Sequence, residues 1–264
     1  MSYVVGIPTK NRNEMLNKCI SAFANSTKPP SKILIVNNNL PESNLELNDY
    51  SNLSIDIEVL SNSSPIKGCV QGAQVAFDWM VNNNVSIGVK WDDDLIPDET
   101  CMEYLFNWID KYDAVGGCYP PSNETRIWKE GPCSGNPPPN GRATQLQFFK
   151  WFDDANNIPN PVEVGALYSS YMFNVESFKK TNGWNVKRSP IGFREDTEVT
   201  SKLQSRLIEP KAIATHYIIG GGGRSFTKDI LEYMTKHDDF QLRKILSYND
   251  MSFDDLFKVK EISR

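Results

Sequence analysis

The chain has 264 residues, 39% of them apolar and 23% charged, and its 28 basic against 33 acidic side chains give a net charge of -5. Hydrophobic runs recur from end to end, which excludes a disordered or fibrous chain, and the length suffices for one large domain with a well-buried core. The acidic balance gives no bulk attraction to nucleic acid or anionic lipid, and no apolar run approaches the roughly 18 residues that cross a bilayer.

The first half alternates short β runs with amphipathic helices. Residues 3–7 read as a strand, and 14–24 as a helix with Leu16, Cys19, Ile20 and Phe23 on one face. Strands follow at 32–36 and 55–60, then a helix at 70–81 with an apolar stripe of Val70, Ala73, Ala76, Phe77 and Met80. A strand at 87–91 and a helix at 99–109 complete this run. Strands separated by helices imply right-handed crossovers and a mostly parallel sheet flanked by helices, with ligands at the carboxyl ends of the strands.

The second half differs. Residues 113–118 read as a strand, but 119–161 is rich in Pro and Gly and has the character of a functional excursion. An apolar segment follows at 164–173, then a short helix from 175, a helix at 196–205 and a strand at 211–217. The run Gly220 to Gly223 comes next, then helices at 228–237 and 239–246 and a polar tail. The expectation is a single domain over 1–264, built from a regularly alternating half at 1–118 and a second half at 119–264. Residues 1–8 lack the basic and long apolar regions of a secretory signal, so a cytoplasmic location is expected. The cysteines, Cys19, Cys69, Cys101, Cys118 and Cys133, are odd in number and show no Cys-x-x-Cys spacing. They read as reduced residues, mostly in the core.

Three clusters can carry chemistry. Asp92-Asp93-Asp94 directly follows a strand, where adjacent carboxylates suit either a bound cation or a solvated turn. His216 ends another strand just before the glycine run, and imidazole joined to carboxylates is a normal shell for Mn²⁺ or a related ion. Glu195-Asp196 opens a helix behind a loop through Pro190 and Gly192; helix capping explains the acids, and a carboxylate so placed can also act as a general base.

Taken in order, Ile7-Pro8-Thr9-x-Asn11-Arg12, Ile35-Val36-Asn37-Asn38-Asn39, Asp92-Asp93-Asp94, Gly183-Trp184, Glu195-Asp196 and His216 resemble the glycosyltransferase family 2 type of GT-A fold, a Rossmann-like α/β architecture, over residues 3–220. The resemblance implies a metal-dependent enzyme that moves a sugar from a nucleotide-diphosphate sugar, a UDP-sugar first, to an acceptor hydroxyl with inversion. It implies that Thr9, Arg12 and Asn37 hold the nucleotide and that Asp92, Asp93 and Lys67 belong to the same nucleotide-sugar site. Asp94 and His216 would bind Mn²⁺ or Mg²⁺, Asp196 would be the base, and Glu195 would orient the acceptor. Where the family commonly has Asp at the end of strand two, this chain has Asn37-Asn38-Asn39.

Arg224 and Lys228, behind the glycine run, are expected to meet the diphosphate as a lid closes. In the excursion, Trp128, Phe148, Phe149 and Trp151 stand among Arg126, Lys129, Arg142 and Lys150. They suit stacking on a glycan or on a hydroxymethylated pyrimidine in DNA, or a small satellite core; a small-molecule acceptor is equally open. The alternatives to transfer of a sugar are nucleotidyl transfer to a sugar phosphate and non-catalytic nucleotide-sugar binding. The first usually needs a Gly-rich basic loop after strand one, where this chain has one glycine in 6–14.

Overall fold

A computed structural model gives the architecture; it describes residues 2–64, 67–119, 160–167, 169–186, 195–217 and 259–261. The strands β1 (Val4–Thr9), β2 (Lys32–Asn37), β3 (Asp56–Ser61) and β4 (Ile87–Lys90) form a parallel ladder in the order β3-β2-β1-β4. Between them lie α1 (Asn13–Ala24) and α2 (Cys69–Asn82). Alternation along the buried strands sorts the core into two layers, because successive side chains leave opposite faces. Val5, Ile7, Ile33 and Ile35 pack with α1 on one face; Val4, Leu34 and Val36 pack with α2 on the other. The α2 helix approaches β1 closely: a Cβ on Gly6 would lie 2.6 Å from the Ala76 Cβ, and one on Gly72 would lie 2.8 Å from the Pro8 Cβ.

The remaining strands make the sheet mixed. They are β5 (Leu95–Pro97), β6 (Ala114–Cys118), β7 (Val162–Val164), β8 (Tyr171–Asn174), β9 (Arg206–His216) and β10 (Val259–Glu261), and the full order is β10-β7-β9-β6-β8-β4-β1-β2-β3 with β5 on the end of β9. Parallel pairing recurs only between β6 and β9; β8 enters antiparallel between β4 and β6, so the parallel expectation describes the first half of the chain. Both halves of the chain supply strands to this sheet. The helices α3 (Cys101–Phe106), α4 (Val175–Lys179) and α5 (Glu195–Ser201) complete the described elements.

The observed elements refine the sequence reading. The expected helix at 99–109 is helical only over α3, and that at 196–205 stops at Ser201, because β9 begins at Arg206 rather than at 211. β9 runs through Pro210 by shifting register against β6 between Gly116 and Cys118, where a ladder hydrogen bond is not required of the proline. The apolar segment 164–173 splits into β7 and β8. The three-residue β5 and β10 are too short to show a period, and β10 lies in the stretch read as a polar tail. Cys19, Cys101 and Cys118 are buried and Cys69 is half-buried, all as free thiols. Residues 120–159 of the excursion, Cys133, the glycine run with Arg224 and Lys228, and the closing helices at 228–237 and 239–246 lie outside the described residues. No helix among the described residues is long and apolar enough to cross a membrane.

Candidate active site

The carboxyl ends of β1 and β4 lie side by side, as their parallel pairing requires, and the turn after β4 carries the acidic cluster. Trp91 anchors that turn. Its buried ring meets Phe23 and Tyr119 edge-on, at centroid distances of 5.4 and 5.7 Å, and its Nε1 donates to the Leu95 carbonyl at 2.8 Å. The backbone then turns tightly, with Leu95 N donating to the Asp92 carbonyl at 3.2 Å, and the three carboxylates find different partners.

Asp93 turns to the loop after β1. Thr9 Oγ1 donates to its Oδ2 at 2.7 Å and Arg12 Nη1 donates to its Oδ1 at 2.9 Å. Burial, with the charge of Asp94 adding, outweighs Arg12 and Thr9 and raises the Asp93 carboxyl to about 6. Asp94 shares Arg12 Nη1 at 2.6 Å and faces His216 Nε2 at 3.5 Å. That meeting follows from topology: β5 pairs with the end of β9 in the register Leu95 opposite His216, and Tyr217 N donates to the Asp94 carbonyl at 2.8 Å. Burial pushes the Asp94 carboxyl up, but the hydrogen bond and charge of His216, with Arg12, overcome it and hold it below its ordinary value.

The third carboxylate faces the other way. Asp92 accepts from Lys90 Nζ at 2.7 Å and from Ser169 Oγ at 2.7 Å, while its backbone N–H donates to Ser170 Oγ at 2.9 Å. Ser169 has a φ of 68°, a backbone region uncommon for a residue with a side chain, and its carbonyl accepts from Lys90 at 2.6 Å. Asp196, on α5, completes this group. Its Oδ2 accepts from Lys90 at 3.1 Å, and its Oδ1 accepts from Tyr171 Oη at 3.1 Å and from Trp184 Nε1 at 3.0 Å. Trp184 is placed by the positive φ of 67° at Gly183 and by the 2.8 Å bond from its backbone N–H to Gln74 Oε1. Glu195 is buried beside Asp196 and accepts from the Cys69 thiol at 3.6 Å.

The predicted residues therefore fall into three groups. Thr9, Arg12, Asp93, Asp94 and His216 form one contiguous network, and Asp92 with Asp196 forms a second through Lys90. Asn37, opposite Thr9 in the β1–β2 register, meets Lys67 at Glu42: Lys67 Nζ donates to its Oε1 at 2.7 Å and Asn37 Nδ2 to its carbonyl at 2.8 Å. Arg224 lies outside the described residues. Lys90, Ser169, Ser170, Tyr171 and Trp184 were not among the predicted site residues. Lys90 had a readable signal, since a lysine in a strand buried on both faces requires carboxylate partners.

A divalent ion fits part of this geometry. Two ligands of one octahedral ion at ~2.1 Å stand about 3 Å apart, and the carboxylate and imidazole of Asp94 and His216 are separated by 3.5 Å. The described residues contain no group of three or more such ligands, so this pair would leave most of the shell to other donors.

The profile of glycosyl transferase family 2 matches residues 4–176, which takes in β1 through β8 and the acidic turn. The chain belongs to glycosyl transferase family 2. This is a family of glycosyl-transferring enzymes, and the chain carries the GT-A fold. Among solved structures, S. aureus TarS 1-349 in complex with UDP-GlcNAc is similar over 96% of this chain and 68% of its own, with TM-score 0.62 and 13% identity. For TarS 1-349 without that ligand the shares are 94% and 65%, so this chain spans just under two thirds of that fragment, and it spans 41% of the longer TarS chain. The Pyrobaculum calidifontis mannosyltransferase PcManGT, in complex with GDP-Man and Mn²⁺, is similar over 93% of this chain and 63% of its own, with TM-score 0.56 and 10% identity. Glucosyl-3-phosphoglycerate synthase from Mycobacterium tuberculosis, in complex with Mn²⁺, UDP and glucosyl-3-phosphoglycerate, is similar over 95% and 81%, with TM-score 0.51 and 11% identity. No curated protein matches this family 2 chain in sequence.

Proposed function

We propose that this family 2 protein transfers a sugar from a nucleotide-diphosphate sugar to an acceptor hydroxyl, with inversion, through a donor half at 1–118 and an acceptor half at 119–264. The observation that carries the proposal is the convergence, at one edge of a family 2 fold, of Asp92, Asp93 and Asp94 with Arg12, His216 and Asp196. UDP-sugars are the first donors to test, since UDP-GlcNAc and UDP occupy two of the similar structures and GDP-Man a third. Nucleotidyl transfer has no support in the family match.

In the proposed reaction the acceptor oxygen attacks the anomeric carbon, the bond from that carbon to the diphosphate breaks, and its electron pair leaves with the diphosphate. Asp196 takes the acceptor proton, with Glu195 beside it orienting the acceptor. Asp92 and the Thr9–Arg12–Asp93 network hold the donor, with Asn37 and Lys67 on its nucleotide side. Asp94 and His216 would hold Mn²⁺ or Mg²⁺, which when bound would offset charge on the departing diphosphate. The acceptor hydroxyl belongs to a glycan, a small molecule or a hydroxymethylated pyrimidine in DNA; salt-sensitive DNA binding would single out the last.

The test is thermal stability against UDP-GlcNAc, other UDP-sugars and GDP-Man, each with Mn²⁺, with Mg²⁺ and with chelator. A ligand selective for the folded state raises stability by mass action, so one donor is expected to raise Tm in the presence of metal. No shift with any donor would refute the donor site.

A further inference from the structure

Lys90 is 5% exposed at the last position of β4, whose four residues are all buried. An isolated ammonium in that setting loses its proton, so its retention there depends on its partners. It has three hydrogens to donate, and three acceptors surround it: Asp92 Oδ1 at 2.7 Å, the Ser169 carbonyl at 2.6 Å and Asp196 Oδ2 at 3.1 Å. The ammonium is fixed by these bonds and is not available to swing toward a substrate phosphate. Its two charged partners come from the two sides of the proposed reaction, Asp92 from the donor turn after β4 and Asp196 from α5. Among the described residues it is the only cation paired with Asp196.

The surroundings of Asp196 show what this contact does. Tyr171 from β8 and Trp184 before α5 both donate to Oδ1. Lys90 donates to Oδ2, the oxygen that neither Tyr171 nor Trp184 engages among the described residues. Among the described residues, Lys90 from β4, Asp92 beyond it, Glu195 on the same helix and Tyr171 are the titratable groups facing Asp196. Burial, together with Glu195 and Asp92, raises Asp196 to about 6, and Lys90 is the foremost opposing influence. On Lys90 the balance runs the other way: burial lowers it, but Asp196, Asp92 and Glu195 outweigh burial and hold it above its ordinary range. The one ammonium is thus shared between Asp92 and Asp196, at 2.7 and 3.1 Å.

We propose that Lys90 is a positioning residue for the transfer reaction: its one ammonium ties Asp92 to Asp196, holds Oδ2 in place and keeps Asp196 an ionised base. The inference rests on the transferase reading above, and its central measurement does not require turnover. The protein is labelled with ¹³Cγ-aspartate, the Asp196 resonance is assigned with Asp196→Asn, and its titration midpoint is compared in wild type, Lys90→Gln and Lys90→Arg. Loss of an opposite charge at this distance is expected to raise the midpoint in Lys90→Gln by about 1–3 pH units, while Lys90→Arg stays near wild type. The acid limb of UDP release from UDP-GlcNAc with water as acceptor should move by the same amount in Lys90→Gln, which a merely structural lysine would not cause.

An unchanged Asp196 midpoint in Lys90→Gln overturns the proposal, as does Lys90→Arg titrating like Lys90→Gln. Coupling is reciprocal, so Asp196→Asn must loosen the Lys90 ammonium, read as faster solvent exchange of its Nζ hydrogens in ¹⁵Nζ-lysine spectra. That arm decides the matter if Lys90→Gln does not fold: faster exchange supports the link and unchanged exchange removes it. If the wild-type protein releases no UDP from any donor, the transferase reading falls, and the titration and the exchange still decide the link between Lys90 and Asp196.

Discussion

Asp196→Asn separates what the carboxylate does for the reaction from what it does for the fold. Burial and the adjacent acids raise the Asp196 carboxyl from 3.8 to about 6. The shift of about 2 units corresponds to about 3 kcal/mol, at 1.36 kcal/mol per unit, by which the ionised form disfavours the folded state at neutral pH. The sign follows from linkage: a folded-state value above the unfolded one means stability present at low pH and lost as pH rises through 6. Between pH 8 and pH 5 about half of it returns, or ~3–6 °C in Tm for a domain of this size. Asparagine keeps an oxygen for Tyr171 and Trp184 and does not titrate, while Lys90 retains Asp92 at 2.7 Å. Differential scanning fluorimetry of both proteins from pH 8 to pH 5 is therefore expected to show wild type gaining on Asp196→Asn as the pH falls. UDP release is expected to drop by about 10²–10⁴-fold in the same variant, the usual contribution of a general base. A Tm difference that is flat with pH, or that favours wild type more as pH rises, would show that the ion pair with Lys90 dominates burial and would refute the reasoning.

Arg12→Lys replaces a guanidinium whose Nη1 reaches both Asp93 and Asp94, at 2.9 and 2.6 Å, with an ammonium on a shorter stem and a different donor geometry. Affinity for UDP with Mn²⁺, measured by calorimetry, is expected to fall about tenfold, equivalent to ~1.4 kcal/mol. Gly72→Ala places a Cβ 2.8 Å from the Pro8 Cβ and 3.0 Å from Asn38 Nδ2, forcing α2 away from β1. Overpacking of this kind costs about 1–3 kcal/mol, to be read in denaturant unfolding. Lys67→Ala breaks an exposed contact with Glu42; Tm should stay unchanged while UDP affinity falls, and equal affinity would remove Lys67 from the nucleotide site.

The first half of the fold was legible because both of its periods are long enough to read. Residues Val70, Ala73, Ala76, Phe77 and Met80 mark one face of a 14-residue helix, and they are buried as their spacing predicts. The site's carboxylates were legible for a different reason, namely that like charges at a strand end are costly unless something compensates them. What escaped was short or nonlocal. The three-residue β5 shows no period of its own and forms because β9 presents an edge to it, yet it is what carries Asp94 to His216. Tyr171 looked like an ordinary core aromatic in sequence, and Trp184 entered only as part of the Gly183-Trp184 pair; both are buried. Only the position of Asp196 in the fold reveals that their polar atoms are aimed at it.

The charge balance of the site argues for a cation at Asp94 in particular. Lys90 is committed to Asp92 and Asp196, and Arg12 to Asp93 and Asp94, so among the described residues the acids of this network exceed its fixed cations even before a diphosphate arrives. A diphosphate brings further negative charge into the same edge of the sheet and is repelled unless an ion comes with it. Asp94→Asn removes one acid while leaving its carbonyl bond from Tyr217 in place. In chelator, UDP is therefore expected to bind Asp94→Asn at least as tightly as wild type, because repulsion is smaller. With Mn²⁺ the order reverses: wild type gains about tenfold or more, ~1.4 kcal/mol, and the variant gains little. Equal loss of UDP affinity with and without Mn²⁺ would mean that Asp94 shapes the turn rather than holding the ion.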